Sequence, residues 1–269
     1  MNNHRPLIAF DFDGVISNSI HDSFVTALNT YIDFKPDHGL PLSGPIQPAG
    51  RIFEFEKDHP GLFDAFKSLL PMGNRAEDYY VILRIIEEEQ TGTVKDQDSF
   101  DAYKKELDRS LRHAYHECFY RYRVGLQNTD PDAWAELLPA FEGIQEMVPD
   151  LSGDFTLAIA TAKDRRSVDI QLDKYGLTGY FDPDNILDKD YSESKRGHLS
   201  RFHQLHGTPY DRMHFIDDKV LHLKSVADLG VHCYLAMWGF NSQREHAVAR
   251  ENGFTLLELN QLRDFKRFV

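Results

Sequence analysis

Short apolar runs that end on acidic or small polar residues recur along the chain, and most are followed by sequence with apolar residues at helical spacing. The first run is Leu7, Ile8, Ala9 and Phe10, and it stops at Asp11, Phe12, Asp13 and Gly14. Residues 155–160, 212–216 and 230–235 repeat the pattern. A brief apolar run bounded by turn residues predicts a strand buried on both faces. After the second run, Asp164 is placed to cap a helix that continues through Tyr175 and ends at Gly176. After the third, residues 219–229 put Val220, Leu223, Val226 and Ala227 on one helix face, with Gly230 as the stop. Strand and helix alternate from residue 140 onward. That alternation predicts an α/β core of three layers, a Rossmann-like parallel sheet with helices on both faces.

Between residues 16 and 138 the pattern is different. Residues 63–70, 76–90 and 99–123 read as helices, and no strand-then-helix unit is evident. The least regular stretch is residues 30–60, with Pro36, Pro41, Pro45 and Pro48. The first strand is therefore separated from the rest of its sheet by a helical insertion. The expected organisation is a core of residues 1–15 and 139–269 and an all-α cap of residues 16–138. An insertion at that place can act as a lid over a site. The acidic run at residues 87–89 reads as a solvated helix end.

Composition narrows the function classes. With 41% hydrophobic and 27% charged residues, the chain is of ordinary globular type. A net charge of -13 disfavours nucleic acid and anionic membrane surfaces as partners, because both draw affinity from clustered lysine and arginine. Small phosphates remain compatible where positive charge is local. No apolar run reaches the roughly 20 residues of a membrane span, and residues 1–6 are short and polar, so a cytoplasmic protein is expected. Cys118 and Cys233 are far apart, which argues against a zinc knuckle or a redox pair and for two buried free thiols. His113 with His116, and His203 with His206, lack a third ligand nearby and read as surface or half-buried histidines. Arg75, with Tyr79 or Tyr80, could meet an anionic substrate, but solvated surface is the simpler reading. Trp134 and Trp238 are expected in the core.

The candidate chemistry lies past the carboxyl ends of the predicted strands, where open parallel sheets build their sites. There stand Asp11 and Asp13, Thr161, Lys195 at the start of a helix over residues 196–206, and Asp217 with Asp218. If these ends converge, four carboxylates face one ammonium. Each like-charge pair near 4 Å costs on the order of 4 kcal/mol at an effective dielectric near 20, so the cluster calls for a cation. Oxygen ligands with no partnering histidine or cysteine favour a hard ion, Mg2+ above all beside a phosphate. A carboxylate is a competent nucleophile toward phosphorus. Thr161 offers a hydroxyl and a backbone N–H to the phosphoryl oxygens, Lys195 offers charge, and Gly14 allows close approach. Asp13 could protonate a leaving oxygen and then activate water. Lys189 is the rival for the lysine role; the helix that follows Lys195 favours Lys195.

Taken in order, Asp11-Phe12-Asp13-Gly14, Thr161, Lys195 and Ile216-Asp217-Asp218 resemble the four motifs of the haloacid dehalogenase-like hydrolase superfamily. The resemblance covers residues 5–16 and 139–240, and Phe141-Glu142-Gly143 resembles the turn at which such proteins resume their core. It implies Asp11 as nucleophile and metal ligand, Asp13 as general acid/base with its carbonyl on the metal, and Asp217 as a second carboxylate ligand. Thr161 and Lys195 would hold the phosphoryl group, with Asp218 supporting Lys195 or the metal. An insertion directly after the first motif matches the superfamily's helical C1-type cap. A dehalogenase or a phosphonatase would lack Asp13, so the expected activity is a Mg2+-dependent phosphatase acting on a small phosphorylated metabolite. A phosphomutase and a phosphate-binding regulatory protein are the competing readings.

Overall fold

The computed structural model describes residues 5–42, 44, 46, 51–73, 75–192 and 194–268. Among the described residues the first strand, β1 (Leu7–Phe10), is followed by seven α-helices: α1 (Ile20–Phe34), α2 (Ile52–Asp58), α3 (Pro60–Leu69), α4 (Ala76–Glu87), α5 (Gln97–Glu106), α6 (Arg109–Thr129) and α7 (Pro131–Glu136). The chain then alternates through α8 (Ile144–Ser152), β2 (Thr156–Ala160), α9 (Arg165–Tyr175), β3 (Ile186–Leu187), α10 (Lys195–His206), β4 (Met213–Asp217), α11 (Val220–Lys224), β5 (His232–Ala236), α12 (Gln243–Glu251) and β6 (Thr255–Leu257). It folds into two compact units, Met1–Asn18 with Pro139–Val269, and Ser19–Leu138.

In the first unit all six strands are parallel, in the order β3-β2-β1-β4-β5-β6. β1 lies in the middle, with Phe10 opposite Ile159 on one side and Ile216 on the other. Side chains alternate across the sheet. Ile8 and Phe10 join the core built with Met147 and Val148 of α8 and Val168 and Leu172 of α9. Leu7 and Ala9 join the opposite core, with Leu199 and Phe202 of α10, Leu223 of α11 and Ala249 of α12. Two buried faces explain why the strands read as unbroken apolar runs.

The second unit is helical, packed around Phe24, Tyr31, Phe66, Tyr80, Tyr115 and Phe119. A buried acid, Asp22, and a half-buried one, Glu87, are matched inside it. Asp22 receives the Trp134 indole N–H at 3.0 Å and pairs with Arg123 at 2.6 Å. Glu87 accepts from the Tyr31 hydroxyl, from Lys35 at 2.8 Å and from the Gly39 N–H at 2.6 Å.

Several local expectations are revised. The helix expected over residues 99–123 is two, because the Asp108 carboxylate accepts the Ser110 N–H at 2.6 Å and starts α6 afresh. The helix expected over residues 219–229 stops at Lys224; Ser225 Oγ donates to the His222 carbonyl at 2.6 Å, a bond that competes with helix propagation, and only a 3-10 turn follows at Ala227–Leu229. The stretch 30–60 contains the end of α1 and all of α2, while Pro45 and Pro48 lie outside the described residues. β3 and β6 are too short to leave a readable period, and both go unannounced in the sequence. Cys233 is buried as expected, but Cys118 is half-buried. Residues 16–18 belong with the sheet rather than the helices: Ser17 Oγ donates to Gln171 Oε1 at 2.8 Å, and the Asn18 N–H reaches the Pro139 carbonyl at 2.8 Å. Tyr79 and Tyr80 are buried among the helices, while Arg75 is exposed.

Candidate active site

The central position of β1 carries Asp11 to the carboxyl edge of the sheet, where its N–H continues the ladder to the Ile216 carbonyl at 2.8 Å. Its Oδ1 accepts the Phe12 N–H at 2.7 Å and lies 2.7 Å from Lys195 Nζ. Lys195, the first residue of α10, reaches across the same edge to Asp217 Oδ2 at 3.2 Å and donates to the Ala160 carbonyl at 2.7 Å. One buried ammonium thus ties together the ends of β1, β2 and β4. Lys189 is exposed, and its N–H goes to the Lys163 carbonyl.

Asp217 closes β4. Its Oδ1 accepts the Lys219 N–H at 2.8 Å, and His222 Nδ1 sits 3.0 and 3.1 Å from its two oxygens. Asp218 turns the other way. Its Oδ2 accepts the Phe240 N–H at 2.8 Å, and its carboxylate lies against Gly14, where a Cβ would come within 2.5 Å of Oδ2. Gly14 also has φ +84, so both conformation and space require glycine there. The sequence reading gave Gly14 to phosphate approach and Asp218 to support of Lys195 or the metal. In the structure Gly14 makes room for Asp218, and the partner of Lys195 is Asp217.

Asp13 is half-buried, and the Lys163 ammonium grips both its oxygens at 3.0 and 3.1 Å. Thr161 follows β2, but its N–H is committed to the Leu187 carbonyl at 3.0 Å and α9 begins only at Arg165, so the hydroxyl alone remains of the two donors expected. That hydroxyl accepts the Lys163 N–H at 3.0 Å. His222 and Lys163 were both missed by the sequence reading. The signals were present, a histidine five residues after Asp217 and a lysine two after Thr161, but neither spacing carries meaning until the turns around them are known.

Charge governs the behaviour of the cluster. Burial pushes the Asp11 carboxyl up to about 6 against the pull of Lys195, and pushes Asp218 up to about 7 against the pull of Lys219. Burial works in the same direction on Asp217, but His222 and Lys195 outweigh it and hold that carboxyl below the usual range. Burial lowers Lys195, and the attraction of Asp11 and Asp217 more than restores it. Lys195 faces two buried carboxylates, Asp11 and Asp217, which leaves one negative charge unmatched by it. Asp11, Asp217 and His222 each present a ligand atom, all within 4.8 Å of one another, so the residues present fit a divalent cation. The premise that no histidine joins the cluster is overturned by His222.

Residues 74–236, more than half of the chain, match the model of the haloacid dehalogenase-like hydrolase family. The chain belongs to that family. The matched span contains Thr161, Lys195, Asp217 and Asp218 and begins after Asp11 and Asp13. Among solved structures, a haloacid dehalogenase-like family hydrolase from Streptococcus pneumoniae aligns with a TM-score of 0.61 at 17% identity, over 98% of this chain and 99% of its own. A predicted phosphatase from Clostridium acetobutylicum aligns at 0.57 and 14% identity, over 99% and 100%. A predicted phosphoglycolate phosphatase from Haemophilus somnus aligns at 0.56 and 15% identity, over 100% and 99%. At such identities the likeness is one of fold. No curated protein matches the sequence. This hydrolase has a fold like that of those solved structures, and no helix among its described residues is long and apolar enough to cross a membrane.

Proposed function

We propose that this hydrolase is a Mg2+-dependent phosphatase that cleaves a small phosphomonoester through an aspartyl-phosphate on Asp11. The observation that carries the reading is the anchoring of Asp11: the Phe12 N–H and Lys195 Nζ both fall on Oδ1. That leaves Oδ2 as the attacking atom, on a carboxylate whose orientation is set by the end of a central strand.

In this mechanism Oδ2 forms a bond to phosphorus as the bond to the ester oxygen breaks. Asp13, oriented by Lys163, gives the departing oxygen its proton and then takes one from the water that cleaves the aspartyl-phosphate. Lys195 and the Thr161 hydroxyl hold phosphoryl oxygens. Mg2+, held by Asp11 and Asp217 and by the Asp13 carbonyl implied by the family motif, supplies neutralisation of the phosphoryl charge when bound. Asp218, packed between Gly14 and Gly239, keeps the turn after β1 in place. The helical insertion serves as the cap that selects the substrate.

Phosphate released from a panel of small phosphomonoesters, phosphoglycolate and sugar phosphates among them, tests the reading. Asp11→Asn keeps the side-chain size and removes the nucleophilic charge, and is expected to reduce release by at least about 10³-fold, the scale of losing a nucleophile. Full activity in that variant would refute the proposal. Isomerisation of a sugar phosphate without release would instead indicate a mutase.

A further inference from the structure

Among the described residues the imidazole of His222 is the nitrogen donor grouped with the Asp11 and Asp217 carboxylates, and three observations bear on its role. The first is geometric. Nδ1 lies at nearly equal distances, 3.0 and 3.1 Å, from the two Asp217 oxygens, and within 4.8 Å of a ligand oxygen of Asp11. The second is that Asp217 has its orientation determined without the ring, by the Lys219 N–H on Oδ1 and Lys195 on Oδ2. The third is that the ring is held in place. Val220 and Leu223 of α11 are buried in the sheet core while Leu221 is 71% exposed, so this short helix is pinned by its inner face and holds the imidazole at the rim of the site, with a third of its side chain accessible.

Two carboxylates and a carbonyl supply three of the about six ligands of an octahedral divalent ion, which leaves positions for a further donor. We propose that His222 coordinates the same ion as Asp11 and Asp217 through Nδ1, making a mixed oxygen and nitrogen site that prefers Mn2+ to Mg2+. The inference rests on the reading of this cluster as a divalent-cation site. An imidazole adds little for Mg2+, which is bound through carboxylates and water, whereas first-row transition ions gain from nitrogen donors. The coordinating ring must be neutral, and the ion then replaces the imidazole's contact with Asp217.

Mn2+ is the probe, followed by electron paramagnetic resonance on the full chain, with Mg2+ added in competition. Wild type is expected to bind Mn2+ at least tenfold more tightly than Mg2+ and to show electron spin-echo modulation from a directly bound nitrogen. His222→Asn, which substitutes an oxygen donor, is expected to lose that modulation and most of the preference. Incorporation of ¹⁵N-histidine in wild type must change the modulation, a test that does not depend on any variant folding. Mn2+ bound without nitrogen modulation in wild type, or modulation and preference unchanged in His222→Asn, would overturn the role of His222 while leaving the cation site standing. Wild type binding neither ion would overturn the cation site, and the proposal with it.

Discussion

Removing the ammonium of Lys195 while keeping its length, as in Lys195→Met, tests the electrostatic account of the site most directly. Lys195 Nζ touches Asp11 at 2.7 Å and Asp217 at 3.2 Å, and its side chain is 6% exposed. Taking one partner out of a buried ion pair costs about 3–5 kcal/mol, because the remaining charges are left uncompensated. The pH dependence is the sharper part. Asp11 titrates at about 6 even with Lys195 pulling it down, so without Lys195 its folded-state value lies higher still. A carboxyl raised on folding binds protons more tightly in the native state, so stability falls as pH rises through that window. The cost of Lys195→Met is therefore smaller at pH 5, where Asp11 takes up a proton and only Asp217 keeps an uncompensated charge, than at pH 8, where both do. Urea unfolding in metal-free buffer measures it, with Trp238 in the sheet unit as the reporter and a Trp134→Phe background common to both proteins. A cost under about 1 kcal/mol at pH 8, far below that range, or an equal cost at pH 5 and pH 8, would refute the reasoning.

Gly239→Ala is expected to destabilise by about 1–3 kcal/mol in urea unfolding, since the new Cβ would meet the Asp218 side chain and come within 2.5 Å of the Gly14 carbonyl oxygen. His214 is 2% exposed, and burial, with His232 beside it, lowers its imidazole to about 4. The unfolded chain protonates first as pH falls from 6.5, so this residue withdraws stability on the order of 3 kcal/mol between pH 6.5 and 4; His214→Asn should flatten that slope in pH-dependent unfolding. Glu87→Gln removes the charge facing Lys35 and should cost the helical unit about 1.5–3 kcal/mol, read by Trp134 fluorescence. The Glu87 carboxyl, pushed up by burial but held at about 2 by bonds from Lys35 and Tyr31, contributes stability above pH 4.5 that is lost as pH falls through 2. Asp13→Asn should slow turnover of alkyl phosphates by about 10²–10⁴-fold and of an aryl phosphate far less, because an aryl oxygen leaves without a proton; equal losses on both would argue against proton donation by Asp13.

What the sequence by itself determined was the part of the fold written in local period. β1, β2, β4 and β5 are buried on both faces, so their apolar runs are legible, and the acids and polar residues that end them mark the edge where a site forms. Asp11, Asp217 and Lys195 could be named from that edge and from their resemblance to known motifs. Tertiary structure alone decided which charges meet. Lys195 chose Asp217 over Asp218 because successive side chains at the end of a strand point to opposite sides. Thr161 lost its N–H to β3, a strand of two residues too short to carry a period. His222 and Lys163 entered the site through turns whose geometry depends on what packs beneath them. Periodicity is local and survives in a linear string. Contacts between residues far apart in sequence exist only once the sheet has brought its strand ends together.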